Sequence, residues 1–494
     1  MLVAIVALAL AGLRWFVTRP AALALTAMPQ DSVIKVLEIG SRPGTLTAEG
    51  VKPGRYKVTV SRKGYETITS SVVLKRGART QERYLLRPRR FKVAVTCTPK
   101  GAGYEIRCSS GKLYRGTLPY EGAVPAGQLS VTLRAAGYNP AKTTTFIDEP
   151  RELSLLMDPA GQVVKALGVY PCGPAPKGVL IAPDNKEMWV SLLDGPPAVE
   201  VYDPLTGVKK STIKLNRYGA VEVAFSKDAT RAYVSQMETA RVYEIDRATK
   251  TRLRQMETRS SWSKVMVLSP DGRTIFVANW VGNDVSEIDV ASGQLRRQLP
   301  APKTPRGLYA TPDGKSLYVA GFAEGVLTKI DLASGRVKQV MQSGGALRHL
   351  VADEKRKILY ASDMEKDTVW AVDMTSDTSR LFCATDEKPN TIDLSPDGKV
   401  LFISCRGENS SVSYYIPGPE WGSVLLVDTS NGKVLDAIVG GNQCTALDVS
   451  DDGKLLVFSD FLDNRLRVYS VPSYETLKAG RGGRAISHLA DIQK

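Results

Sequence analysis

Basic residues recur at one position of a repeated pattern in this 494-residue chain. Aligned on Ser/Thr-Pro-Asp-Gly segments, the sequence puts Lys177, Val221, Lys264, Arg306, Arg348, Asn390 and Thr445 in one column, just ahead of a strand-like run. If those runs converge on a common opening, Lys177, Lys264, Arg306 and Arg348 line a low-dielectric funnel. Such a funnel focuses field lines and attracts a carboxylate, a phosphate or an acidic glycan. The bland alternative is a set of exposed strand ends where Lys and Arg merely solubilise the surface. Aromatic residues fall at the same end of the pattern. Trp280 follows Asn279 in one repeat, and Tyr414, Tyr415 and Trp421 lie in a segment that makes another repeat longer than the rest. Rings of this kind stack on sugar or base faces or grip a peptide, unless the loop folds them onto its own rim. Asp363 and Asp460 end the second run of their repeats, where an acid could hold a cation or a sugar hydroxyl.

Other chemistry finds little support. The chain has two histidines, His349 and His488, so a histidine-rich metal cage cannot be assembled and no metal or cofactor is expected. There is no Gly-x-Ser-x-Gly elbow, phosphate loop or dinucleotide fingerprint. None of the six cysteines forms a CxxC pair. Cys97 and Cys108 flank a hairpin-like stretch and could pair in an oxidising compartment, as could Cys405 and Cys444 from neighbouring repeats. The remaining two are expected to be buried thiols.

The elements that position these residues follow from two internal repeats. Ser269-Pro-Asp-Gly-Arg-Thr-Ile-Phe-Val-Ala-Asn recurs from Thr311 and from Ser395, with weaker copies from Ala182, Ser226, Asp353 and Ser450. The spacing is 42 to 44 residues, apart from one interval of 55 after Ser395. Each unit carries four strand-like runs, which is what one blade of a propeller needs. Pro-Asp-Gly reverses the chain because Pro fixes φ and Gly accepts a positive φ. The units resemble the YVTN β-propeller repeat: Tyr318-Val-Ala-Gly and Phe276-Val-Ala-Asn stand where that family has its tetrapeptide, though no unit carries it in full. The ring closes either through the run after Gln162 or through the segment near Thr476.

A second duplication lies nearer the front. Val51-Lys-Pro-Gly through Lys63-Gly-Tyr65 lines up with Val124-Pro-Ala-Gly through Ala136-Gly-Tyr138. Alternation at Tyr56, Val58 and Val60 marks a half-buried strand, so each copy reads as a small antiparallel β-domain. Both copies resemble the PEGA domain, which implies a spacer or adhesion module of a bacterial envelope protein and no active site.

The first residues, Met1 to Met28, are apolar and nearly free of acids, as in an export signal or a membrane anchor helix. The net charge of +15 comes mostly from residues 31–158, where Lys and Arg outnumber Asp and Glu about two to one; beyond 158 the charges nearly balance. Such a basic front suits anionic headgroups or an acidic wall polymer, and equally an ordinary soluble surface. The sequence therefore predicts an all-β protein: a leader or anchor over 1–30, PEGA-like β-sandwich domains over 31–90 and 91–158, and a seven-bladed β-propeller over 159–494. The expected role is non-enzymatic binding in a bacterial envelope, on the periplasmic or cell-surface side, tethered to the membrane at the N-terminus. Its partner would be an envelope protein, a glycan or an anionic polymer. The alternatives are a lactonase-like hydrolase, a quinoprotein-like enzyme, or a nucleic-acid-binding propeller.

Overall fold

The computed structural model describes residues 19–494 and divides into two units, ending and beginning at Met157 and Asp158. The leader expected over 1–30 lies for the most part outside the described residues. Its last part does not. Ala21–Met28 is a strand at the centre of a three-stranded sheet, antiparallel to Thr45–Val51 and parallel to Arg79–Leu85. Ala21, Leu23, Leu25 and Ala27 point into the core of the first β-domain, so that domain starts about ten residues earlier than the sequence predicts. Among the described residues no helix is long and apolar enough to cross a membrane.

The duplication in the first unit extends to topology. In the first copy a four-stranded sheet has the order Gly40–Pro43, Val33–Val36, Gly54–Ser61, Ile68–Leu74. In the second the order is Leu113–Thr117, Gly103–Cys108, Gly127–Arg134, Ala141–Ile147. Each faces a three-stranded sheet, the second centred on Arg90–Thr98. Val58 and Val60 in one copy and Val131 and Leu133 in the other fill equivalent core positions, as the period-two alternation requires.

The second unit consists of seven four-stranded antiparallel sheets in a propeller-like ring. Their first strands are Pro176–Ile181, Glu222–Phe225, Ser263–Leu268, Pro305–Ala310, Leu347–Asp353, Pro389–Leu394 and Cys444–Val449. Each first strand contacts the next, and the seventh contacts the first. The outermost place in the last sheet is taken by Lys165–Pro171, paired antiparallel with Arg465–Ser470. That settles the closure left open by the sequence, because Thr476 lies in the helix Tyr474–Ala479. Asp436 anchors the approach to the closing strand by accepting the Val163 and Val164 amides at 2.7 and 2.9 Å.

Local chemistry explains why the repeat folds this way. In the turn Ser269–Thr274 the Ser269 hydroxyl donates to Asp271 at 2.6 Å and accepts the Thr274 amide at 2.9 Å, and Gly272 takes φ +71°. The turns at Thr311, Ser395 and Ser450 repeat these bonds. Between sheets the packing is apolar: Tyr360 and Val369 of the fifth meet Ile392, Leu401 and Ile403 of the sixth. Val190 and Tyr202 of the first meet Val457 and Val468 of the seventh.

A polar clasp is added on the second strands. The penultimate residue is Ser191, Ser235, Ser362, Ser404 or Ser459, and its hydroxyl donates to a carbonyl at the start of the next sheet: Val221, Lys264, Asn390, Thr445 and Pro176 respectively, at 2.5 to 3.1 Å. Ser459 also accepts the Ala446 amide at 3.1 Å, so it ties the last sheet both to itself and to the first. Ser459→Ala leaves two buried backbone groups unpaired. The loss is about 1–3 kcal/mol, read as a lower urea midpoint for the ring with an unchanged m-value.

Candidate functional site

The aligned basic column lies on the first strands, one residue inside their start in six of the seven sheets. Lys177, Arg306 and Arg348 line the same axial cavity together with Glu222, Val265, His349 and Thr391. The cavity is narrow, with a volume of about 20 Å³, which is room for about one water. Lys264 stands over Trp280, its Nζ 3.8 Å from the ring centroid, and the Arg306 guanidinium is 5.9 Å from the same ring. The structure thus brings four of the predicted cations together.

A fifth cation joins them. Arg406 directly follows the second strand Val400–Cys405 and is 7% exposed. Its guanidinium donates to Gln443 and lies 5.6 Å from the ring of Tyr414. Arg306 and Arg348 are buried to a similar degree. Among the described residues none of the side chains of Lys177, Lys264, Arg306, Arg348 and Arg406 forms a salt bridge, and Arg306 Nη1, Arg348 Nε and Arg406 Nε are buried without a hydrogen-bond partner.

Burial, with the like charges around it, shifts the titratable groups of this cluster. Burial, reinforced by Arg306 and Arg348, drives the Lys264 ammonium down to about 6. Burial and the repulsion of Arg348, Arg406, Arg306 and Lys264 hold Lys177 well below its ordinary value. Arg306 and Arg406 are pushed down by burial to about 10 and stay charged at neutral pH. Burial raises the Glu222 carboxyl to about 7 although Arg306, Arg348 and Lys177 favour its anion. His349 falls to about 4, by burial first and then by Arg348 and Arg306, so it is neutral.

The predicted aromatics divide. Tyr414 and Tyr415 stack on each other at 4.2 Å and pack beside Phe461, over which Lys177 Nζ sits at 4.9 Å. Both tyrosines keep a good part of their surface exposed. Trp280 pairs with Phe322 at 4.9 Å. Trp421 belongs elsewhere: its amide donates to Ile492, and Lys494 Nζ lies 4.5 Å over its ring, so it fastens the C-terminal segment.

Three further candidates are structural. Asp363 accepts the Ala346 amide at 2.7 Å, and Asp460 accepts the Gly441 amide at 2.8 Å while paired with Arg467 at 2.6 Å. Asn279 donates to Asp284 and Ser286 and accepts from Ser263. These side chains hold the loops that lead into the first strands and are fully buried, so none is accessible to a cation or a sugar hydroxyl.

All six cysteines are free thiols, so neither expected disulfide is formed. Cys97 lies in the sheet with Arg151–Leu156 and Cys108 in the opposite sheet beside Leu129. Cys444 directs its thiol at Asp460, 3.5 Å away. Among the described residues no group of three or more His, Cys, Asp or Glu could hold a metal ion.

Sequence reasoning missed Arg406, Glu222, Phe461 and Trp262, whose ring lies 5.5 Å from Lys264 Nζ. Arg406 and Glu222 were legible one position away: one follows the second-strand end Ser-Cys, the other follows the column residue Val221.

No protein-family model matches the chain. Antigen Lp49 of Leptospira interrogans serogroup Icterohaemorrhagiae serovar copenhageni (strain Fiocruz L1-130) is 31% identical over 360 residues, covering 69% of this chain and 77% of the antigen. The chain belongs to the Lp49 antigen family. Kuenenia stuttgartiensis hydrazine synthase has a chain that superposes with a TM-score of 0.52 at 19% identity, over 60% of this chain and 96% of that one. That likeness is one of fold.

The depressed Lys264 gives a signed pH prediction. Its folded value, about 6, lies below the unfolded one, so its contribution grows as pH rises from about 6 and is complete above about 10.5. Lys264→Met therefore exceeds the parent in stability most at and below pH 6, and urea titrations show the gap closing by pH 10.

Proposed function

We propose that this member of the Lp49 antigen family is a non-enzymatic envelope protein whose ring, a seven-bladed propeller of the YVTN-repeat type, binds an anionic ligand at its open end. The observation that carries this reading is the convergence of five buried basic side chains, Arg306 and Arg406 among them charged at neutral pH, with no acid in a salt bridge to any of them. Burying such charge is destabilising unless a partner supplies the counter-charge. A binding site has a reason to keep that arrangement and a purely structural core has none. The rims of propeller-like scaffolds, where loops meet at strand ends, are also ordinary places for ligands.

The two front domains, read as PEGA-like, serve as a basic spacer. Residues at the extreme N-terminus direct export and tether the protein to the membrane, and an antigen among the relatives supports exposure outside the cytoplasm. The partner is an acidic glycan, an anionic polymer or an acidic segment of an envelope protein.

Replacing Lys264, Arg306 and Arg348 together by Gln removes anion binding. Because the parent charges repel one another, the melting temperature of the triple variant equals or exceeds that of the parent. Parent affinity also falls linearly on a log–log plot against salt. Affinity that is salt-independent, or retained by the triple variant, would place the ligand elsewhere.

A further inference from the structure

We propose that the opening receives a tetrahedral, doubly charged oxyanion end-on: the terminal phosphate monoester of a ligand whose body rests on Trp280, Tyr414 and Tyr415. The inference rests on the anion-binding reading above and narrows it to one chemistry.

The first ground is the arrangement of donors. Three guanidinium groups come from three successive sheets, Arg306 and Arg348 on first strands and Arg406 at a second-strand end. Each leaves one buried N–H without a partner, at Nη1, Nε and Nε respectively. A carboxylate presents two coplanar oxygens and is saturated by a single bidentate arginine. A terminal phosphoryl group presents three acceptor oxygens and can meet donors arriving from three sides.

Charge is the second ground. Glu222 is the one acid among the residues lining the cavity, against the guanidinium groups of Arg306 and Arg348 on the same walls and Arg406 beside them. A monoanion leaves most of this surplus uncompensated, and a dianion compensates more of it.

Size is the third. A cavity of about 20 Å³ holds about one water and admits neither a sugar or base ring nor a whole phosphoryl group, so the anion seats at its mouth with only a terminal oxygen directed inward. The body of the ligand beyond that group meets the aromatic margin, where Lys264 and Arg306 flank Trp280 and Tyr414 and Tyr415 are partly exposed. An internal phosphodiester fails on two counts: it carries one charge, and chain leaves it on both sides.

Isothermal titration of the full chain at pH 7 and low salt tests this with inorganic phosphate, glycerol 1-phosphate, glucose 6-phosphate, sulfate, acetate, glucuronate and dimethyl phosphate. Phosphate and both monoesters are expected to bind at least about tenfold tighter than acetate, glucuronate and dimethyl phosphate, with sulfate close to phosphate. Glucose 6-phosphate is expected to exceed inorganic phosphate, and Trp280→Ala to abolish that difference alone. Arg306→Gln and Arg348→Gln, measured separately with melting curves for each, lose phosphate binding. Glucuronate or dimethyl phosphate binding as tightly as the monoesters, with loss in the arginine variants, overturns the phosphate inference and leaves the anion site standing. No binding of any of these anions, or binding indifferent to Arg306→Gln and Arg348→Gln in folded protein, overturns both.

Discussion

At five of the seven junctions in the ring, a serine hydroxyl on one sheet donates to a backbone carbonyl where the next sheet begins. The accepting residue at four of them, Val221, Lys264, Asn390 or Thr445, belongs to the column that also supplies the cations. The bond that joins two sheets therefore fixes the backbone from which the mouth is built. Apolar packing alone fills the space between sheets but does not set their register to a fraction of an ångström. Directional bonds to buried carbonyls do, because any slippage leaves a donor or acceptor unsatisfied. The third and fourth sheets carry Ala278 and Ala320 at the serine position. The network of Thr258, Ser263, Asn279 and Ser286 ties the third sheet within itself and does not bridge to the fourth.

On this frame the chain sustains an arrangement that a folding core avoids. Arg306, Arg348 and Arg406 are buried, and among the described residues none of them forms a salt bridge. The rest of the ring makes this tolerable: every sheet interface has its own apolar cluster, and the closing strand removes the free edge. Local conflict between charge and burial inside an otherwise consistent fold is what the binding role proposed above accounts for. Glu222 moderates the conflict without cancelling it, since burial favours its neutral form.

The ring was legible in the sequence because the turn chemistry repeats: Ser or Thr, then Asp, then Gly at fixed offsets dictates a hairpin wherever it occurs. The column of cations was legible for the same reason, as equal spacing from the turn means equal height on the ring. Side-chain bonding at the second-strand ends was not. Asp363, Asp460 and Asn279 stand at the end of the pattern nearest the mouth, yet neighbouring amides, side chains and Arg467 engage them inside the fold, and spacing carries no record of that. Ala21–Met28 was misread for a different reason. Ala22 and Ala24 are apolar on the outward face too, which erases the alternation that betrays a strand and leaves an even apolar run like that of a leader. Trp421 was grouped with Tyr414 by sequence proximity, although the loop sends the two to different neighbours.

That loop shows how an insertion becomes part of a rigid margin. At its middle, the Tyr414 carbonyl accepts from Gln443, and the ring packs with Tyr415 against Phe461. Towards its end, Trp421 and Glu420 bond to Ile492 and Gln493, and Lys494 reaches the Gly418 carbonyl at 2.6 Å. The C-terminal segment is in turn held by His488, which pairs with Asp386 at 3.0 Å inside the fold. A loop fastened at two places loses little further freedom when a ligand settles on its rings, so contact there is not offset by the ordering of a mobile segment. The aromatic margin is thus held in place by side-chain packing and hydrogen bonds, with Lys177 and Arg406 lying against its rings.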